Sequence, residues 1–228
     1  MADTFTPAEQ EIMQDLFGIK EVLDESKGPN EYFTASDADI TGTSYTSVVG
    51  HKPPKGMPDI PVEIFKPDDW SENMRAFIPK FNPLYHPDPM ALYSLLVGWH
   101  LAEPVLIYGP TGSGKTSLVE YASAMVNRPY IRINGRGDME SGPIFGQPSV
   151  EIDEETKLNV YKWNDGIVTE GARGGAVLNF DEPFATPPEI QIGMNSLLED
   201  DGVLVLSDKA GQFRDKIVKP DARFRIVY

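Results

Sequence analysis

GPTGSGKT, residues 109–116, stands between the apolar run VLIY at 105–108 and the helix-like SLVEYASAMV at 117–126. The fixed positions of the pattern G-x-x-x-x-G-K-[ST] fall at Gly109, Gly114, Lys115 and Thr116. In a chain of this length such a match arises by chance on the order of once per hundred sequences, and a chance match seldom also follows a strand and opens a helix. Each residue type suits one task. Gly109, Gly112 and Gly114 permit backbone conformations that let successive N–H groups converge on an anion. A helix starting near Lys115 adds the positive end of its dipole. Lys115 adds an ammonium for the β- and γ-phosphates, and the Thr116 hydroxyl suits Mg2+. The stretch reads as a phosphate loop for ATP. Its nucleotide-contacting set is Gly109, Pro110, Thr111, Gly112, Ser113, Gly114, Lys115, Thr116 and Ser117, with Thr111 and Ser113 acting mainly through their backbone amides.

Such a loop needs a carboxylate-bearing strand beside it, because one hydroxyl and the phosphates neutralise Mg2+ poorly. AVLNFDE at 176–182 supplies one. Four of the five residues before Asp181 are apolar, as in a strand buried on both faces, and Asp181 and Glu182 sit where it emerges. An Asp-Glu pair at a strand end alone reads as a solvated turn. Beside a phosphate loop it becomes a site: Asp181 holds the metal shell with Thr116, and Glu182 acts as general base, joining Lys115 in catalysis.

Strand and helix signals alternate around these two stretches. VLIY is followed by a helix over 115–126, YIRIN at 130–134, a helix around IVTEGARG at 167–174, AVLNF, a helix over 189–199 and FRIVY at 224–228. The fold class is α/β, a parallel sheet with helices on its faces. SVEIDEETKLNVYKW at 149–163 breaks the rhythm as an inserted β-hairpin turning at DEETK. Upstream, ALYSLLVGWHLAEPVLIY at 91–108 carries His100, Glu103 and Pro104 at its centre and reads as a helix, a turn and a buried strand rather than a membrane span. Asp88 followed by Pro89 opens that helix.

Before it, prolines at 53, 54, 58, 61, 67, 79, 83 and 87 break every candidate helix. An extended arm or linker is expected, with short strands at SYTSVV (44–49) and PVEIF (61–65). DADITG at 37–42 imitates a calcium loop, but its twelfth position is Val48 where a bidentate Glu is needed, so a solvated acidic turn is the reading. Thr6, Pro7 and Glu9 open an N-terminal helix whose Ile12, Leu16, Ile19 and Leu23 form one apolar stripe. The chain divides into residues 1–77, a helix and proline-rich arm of unassigned role, and residues 78–228, the α/β core.

The 228 residues are 40% hydrophobic with a formal net charge of −15. That charge repels nucleic-acid backbones and anionic membranes, and no Lys/Arg run offsets it. With no cysteine there is no disulfide or thiolate metal site. His51, His86 and His100 lack zinc spacing, and Trp70, Trp99 and Trp163 read as packing residues. The first residues, MADTFTPAEQEIM, show no signal-peptide pattern, so the cytoplasm is the expected compartment.

GPTGSGKT, the inserted hairpin, DGIVTEGARGGAVLNFDE, PPEIQIGMNSLLEDDGVL, VKPDARFRIV and FIPKFNPLYHPDP together resemble the MoxR-like branch of the AAA+ ATPases. Within that branch they are most similar to the cobaltochelatase small-subunit type, also found among phage proteins; a phage-encoded chain would work in its host's cytoplasm. The resemblance covers roughly residues 78–228. It implies a ring, commonly a hexamer, with ATP between neighbouring subunits, a hairpin that couples hydrolysis to a client, and a protein partner often carrying a von Willebrand A-type domain. The family pattern continues past a strand like RFRIVY with a sensor residue, a fifth strand, an arginine finger and a lid. The sequence stops at Tyr228, so a C-terminal lid is expected to be absent and hydrolysis by this chain alone slow. Arg132, Arg136, Arg173, Arg223 and Arg225 receive no role, since ion pairing or solvation explains each. The expected function is an ATP-driven motor that remodels a partner, with a nucleotide-gated scaffold of little turnover as the alternative. A nucleic-acid motor is disfavoured by the acidity, and no N-K-x-D or L-S-G-G-Q stretch supports a GTPase or a transporter ATPase.

Overall fold

The computed structural model describes residues 43–152, 157–199 and 202–228. The expected N-terminal helix, the acidic turn at 37–42 and most of the hairpin turn lie outside the described residues. The described elements begin with β1 (Thr43–Ser44), α1 (Tyr45–Val49), β2 (Pro61–Val62), α2 (Glu72–Arg75), α3 (Pro89–His100) and α4 (Lys115–Met125). They continue with β3 (Tyr130–Asn134), α5 (Ser141–Phe145), β4 (Gly146–Ile152), β5 (Asn159–Asp165), α6 (Ile167–Gly174) and β6 (Val177–Asp181). Last come α7 (Pro188–Asn195), β7 (Leu204–Val205), α8 (Phe213–Lys216), β8 (Ile217–Val218) and β9 (Arg225–Val227).

Local chemistry explains the boundaries. Asp88 caps α3 by accepting from the Ala91 amide at 2.8 Å, with Pro89 in the first turn. At α6, Gly175 with φ +74° returns its N–H to the Gly171 carbonyl and closes the helix. The expected strand at 44–49 is instead helical over Tyr45–Val49. Ser44 caps it through the Ser47 amide, and Gly50 with φ +84° ends it, so two local caps outweigh the β propensity of Thr46, Val48 and Val49. The helix expected over 189–199 stops at Asn195, after which Leu197 and Leu198 bond three residues back in tighter turns.

Three strands form the central sheet in the order β3-β6-β9, all parallel. The register runs from Tyr130↔Val177 to Asn134↔Asp181, and from Val177↔Arg225 to Asn179↔Val227. Residues 105–107 continue the sheet beyond β9: Val105 donates to the Ile226 carbonyl at 3.1 Å and Ile107 to the Tyr228 carbonyl at 2.7 Å. The expectation of a buried strand here is corrected. This segment has a strand neighbour on one side only among the described residues, so Leu106 and Tyr108 point outward, 65% and 89% exposed. Parallel direction brings the ends of 105–107, β3 and β6 to one edge of the sheet, where ligands of open α/β folds bind.

Both sheet faces are covered. Ile131, Ile133, Leu178, Phe180 and Ile226 face one core with Val168, Ala172, Ile190 and Met194 of α6 and α7. Val177 and Val227 face the other, with α3, α4, Tyr45 and Ile60. The antiparallel hairpin β4-β5 is inserted between β3 and β6, with Val150, Ile152 and Tyr161 exposed.

The described part of the proline-rich arm is not a free linker. Tyr45, Ile60, Trp70 and Met74 are buried in the two cores. Phe65 donates its amide to the Val126 carbonyl at 3.0 Å, and Trp70 Nε1 donates to the Asn127 carbonyl at 2.7 Å. The Arg128 guanidinium lies over the Phe65 ring at 4.9 Å and the Trp99 ring at 5.5 Å, and that of Arg223 lies 4.4 Å over Trp70. Prolines kept the helices here to one short turn or so, α1 and α2, without preventing burial.

Arg223 also grips Asp221 in a bidentate contact through Nε and Nη2, at 2.8 and 2.9 Å. Its hydrogen bond holds the Asp221 carboxyl below the usual carboxylate range. A depressed folded pKa stabilises the fold above the unfolded value of about 4, and that stability is lost as pH falls through the folded value. Asp221→Asn is therefore expected to cost about 1–2 kcal/mol at pH 7. Urea melts of both proteins should show the gap closing as the pH drops below about 4; a gap that persists in acid would remove the ion pair as its cause.

Candidate functional site

Residues 109–114 form a loop between the sheet edge and α4. Gly112 and Gly114 adopt φ of +78° and +85°, conformations costly for residues with a Cβ. Gly114 is also the residue from which α4 springs, so the helix's first amides, which have no partner inside the helix, open onto the loop. The Lys115 ammonium folds back across the loop and donates to the carbonyls of Gly109 at 2.9 Å and Pro110 at 3.0 Å.

Asp181 ends β6 beside this loop. Its Oδ2 accepts from the Thr116 hydroxyl at 3.1 Å and from Arg132 Nη2 at 2.6 Å. A hydroxyl and a carboxylate within hydrogen-bond distance make an all-oxygen donor pair, which fits a hard cation such as Mg2+. The next residue, Glu182, has φ +52° and ψ +51°, a left-handed conformation for a residue with a Cβ. Strain of about 1–3 kcal/mol is held at such a position only where neighbours over-determine it. They do here: Ala185 donates to the Glu182 carbonyl at 3.0 Å, and Gly135, after β3, donates to the Asp181 carbonyl at 2.8 Å. A Cβ at Gly135 would lie 2.2 Å from the Glu182 carbonyl oxygen, so only glycine lets the two turns meet. The Glu182 side chain is exposed at the strand end.

The AAA domain family, dynein-related subfamily, matches residues 104–227, more than half of the chain. The chain belongs to the AAA+ ATPases. Its MoxR-like relatives include the aerobic cobaltochelatase subunit CobS of a Sinorhizobium species, 26% identical over 151 residues, covering 66% of this chain and 43% of that one. The gas vesicle ATPase GvpN of Haloferax mediterranei is 31% identical over 161 residues, 64% of this chain and 46% of that one. Protein NorQ of Paracoccus denitrificans is 28% identical over 132 residues, 57% and 46% of the two chains. The chain thus spans less than half the length of these curated relatives.

Within this AAA+ domain the structure brings Gly109, Pro110, Gly114, Lys115, Thr116 and Asp181 together and sets Glu182 at the adjoining turn. Among the described residues no helix is long and apolar enough to cross a membrane. Four of the arginines left without a role fall away from the loop's contacts: Arg136 pairs with Asp138, Arg173 with Asp165, Arg223 with Asp221, and Arg225 is buried on backbone carbonyls. Arg132 does not. It was missed because its position opposite Asn179 becomes visible only in the strand register, which makes Asp181 its diagonal neighbour. Tyr85 was missed as well. Its hydroxyl donates to the Gly114 carbonyl at 3.2 Å, and with Phe81 its ring packs at a tilt against Tyr121 of α4, so the stretch before α3 braces the loop.

Proposed function

We propose that this chain binds ATP with Mg2+ at residues 109–117 and hydrolyses it to remodel a partner protein or complex. The observation that carries the reading is the meeting of Thr116 and Asp181 at 3.1 Å on the rim of the glycine loop. A fortuitous glycine turn has no reason to place its threonine on the carboxylate of a strand 65 residues away. On this reading the amides of the loop cradle the phosphates and Lys115 leaves its two carbonyls for the β- and γ-oxygens. Thr116 and Asp181 would hold Mg2+, which when bound would supply charge neutralisation for the phosphate oxygens. Glu182 accepts the proton of the attacking water.

Residues 78–228 act as the ATPase unit and residues 1–77 as an added segment. The unit works as a ring, a hexamer with ATP between neighbours, in the cytoplasm, on a protein client such as one with a von Willebrand A-type domain. Similarity to a cobaltochelatase subunit supports chelatase-like assembly as the task. Sedimentation of the purified chain with Mg-ATP is expected to give species several times its 25.3 kDa mass. A protein that stays monomeric under every nucleotide condition would overturn the ring.

A further inference from the structure

We propose that Arg132 is a positioning residue, a built-in counter-cation for Asp181 that keeps a divalent metal from binding there unless triphosphate arrives with it. The proposal rests on the ATP and Mg2+ reading above.

The same Asp181 oxygen, Oδ2, serves Thr116 and Arg132, so the guanidinium competes with a metal or its water for that oxygen beside Thr116. The placement is built by the sheet. Arg132 faces Asn179 in register and reaches along the strand to Asp181. One step down, Asn179 Nδ2 makes the same diagonal to the Tyr130 hydroxyl at 3.0 Å, with Asn179 only 5% exposed. The strand register fixes the Arg132 backbone opposite Asn179, and the guanidinium bond to Asp181 is the outer of two successive diagonals on that face. The Arg132 side chain is 50% exposed and that of Asp181 22%, so the guanidinium can leave for water and the carboxylate cannot follow.

Among the described residues no other cation forms an ion pair with Asp181; the Lys115 ammonium is held by the Gly109 and Pro110 carbonyls. A metal alone must displace Arg132 against its repulsion, in a medium where like charges a few ångströms apart disfavour each other strongly. A metal arriving with a triphosphate brings a net negative charge, toward which the released guanidinium is drawn rather than repelled. Arg132 thereby couples metal entry to nucleotide entry.

Mn2+ binding to the full chain without nucleotide, followed by electron paramagnetic resonance, tests this directly. Arg132→Gln is expected to bind Mn2+ about fivefold or more tightly than the parent. Arg132→Lys, which keeps a cation, should stay near the parent, and adding Asp181→Asn to Arg132→Gln should erase the gain. ATP affinity measured in EDTA and then with Mg2+ gives a second readout: by linkage, the gain conferred by Mg2+ should be smaller in Arg132→Gln, where metal no longer waits for nucleotide. Equal or weaker Mn2+ binding in Arg132→Gln, with the protein folded by its melting curve, overturns the proposal and leaves Arg132 a structural brace. A parent that binds no ATP under any metal condition refutes the nucleotide reading instead, and the Mn2+ comparison still decides the role of Arg132.

Discussion

Replacing Lys115 by methionine is expected to weaken ATP binding by about two orders of magnitude while leaving the fold intact. The ammonium reaches the carbonyls of Gly109 and Pro110, so its stem already lies across the mouth of the loop and its charge is centred where phosphate oxygens would collect. Two charge-assisted hydrogen bonds to phosphate contribute about 3 kcal/mol or more, and each 1.4 kcal/mol is a factor of ten. Methionine keeps most of the stem and removes only the charge. Since the Lys115 head is exposed, its loss changes stability by about 0.5 kcal/mol or less. Calorimetric titration with ATP checks the affinity, and a thermal melt checks the fold. An affinity within a few-fold of the parent would mean that the loop's glycines serve a turn and not a triphosphate.

What the sequence made legible here is chemistry confined to a few neighbouring residues. The loop at 109–116 declares itself through spacing alone, and a helix around 167–174 was readable, where the structure has α6 over Ile167–Gly174. β3 over Tyr130–Asn134 was equally plain. What stayed hidden depends on who lies beside whom. VLIY is as apolar as a central strand, and its exposure follows from having one strand neighbour among the described residues. Arg132 and Asp181 are 49 residues apart, so nothing local marks them as partners. The arm's attachment is likewise non-local: Arg223 reaches the Asp69 carbonyl across 154 residues. At 44–49 the miss was local, a competition between β-branched propensity and two caps, and the caps prevailed.

The second large effect concerns turnover rather than binding. Glu182→Gln is expected to reduce ATP hydrolysis by about 10²- to 10⁴-fold, the range a positioned general base contributes, with ATP affinity held within about threefold. The substitution is close to isosteric, and the backbone that sets the residue is fixed by contacts that glutamine preserves. The Glu182 carbonyl still accepts from Ala185, and Gly135 still holds the Asp181 carbonyl. The left-handed backbone strain is unchanged as well, so any loss of rate reports the carboxylate and not the turn. Single-turnover hydrolysis beside equilibrium binding separates the two quantities. A rate equal to the parent's would take the base role from Glu182 and leave Asp181 the only acid at this strand end with a function. The same variant divides the motor from the scaffold. Client remodelling that stops while ATP binding and ring assembly persist requires hydrolysis to drive the work. Remodelling that continues unchanged requires only that nucleotide be bound, and the phosphate loop would then serve as an assembly clasp.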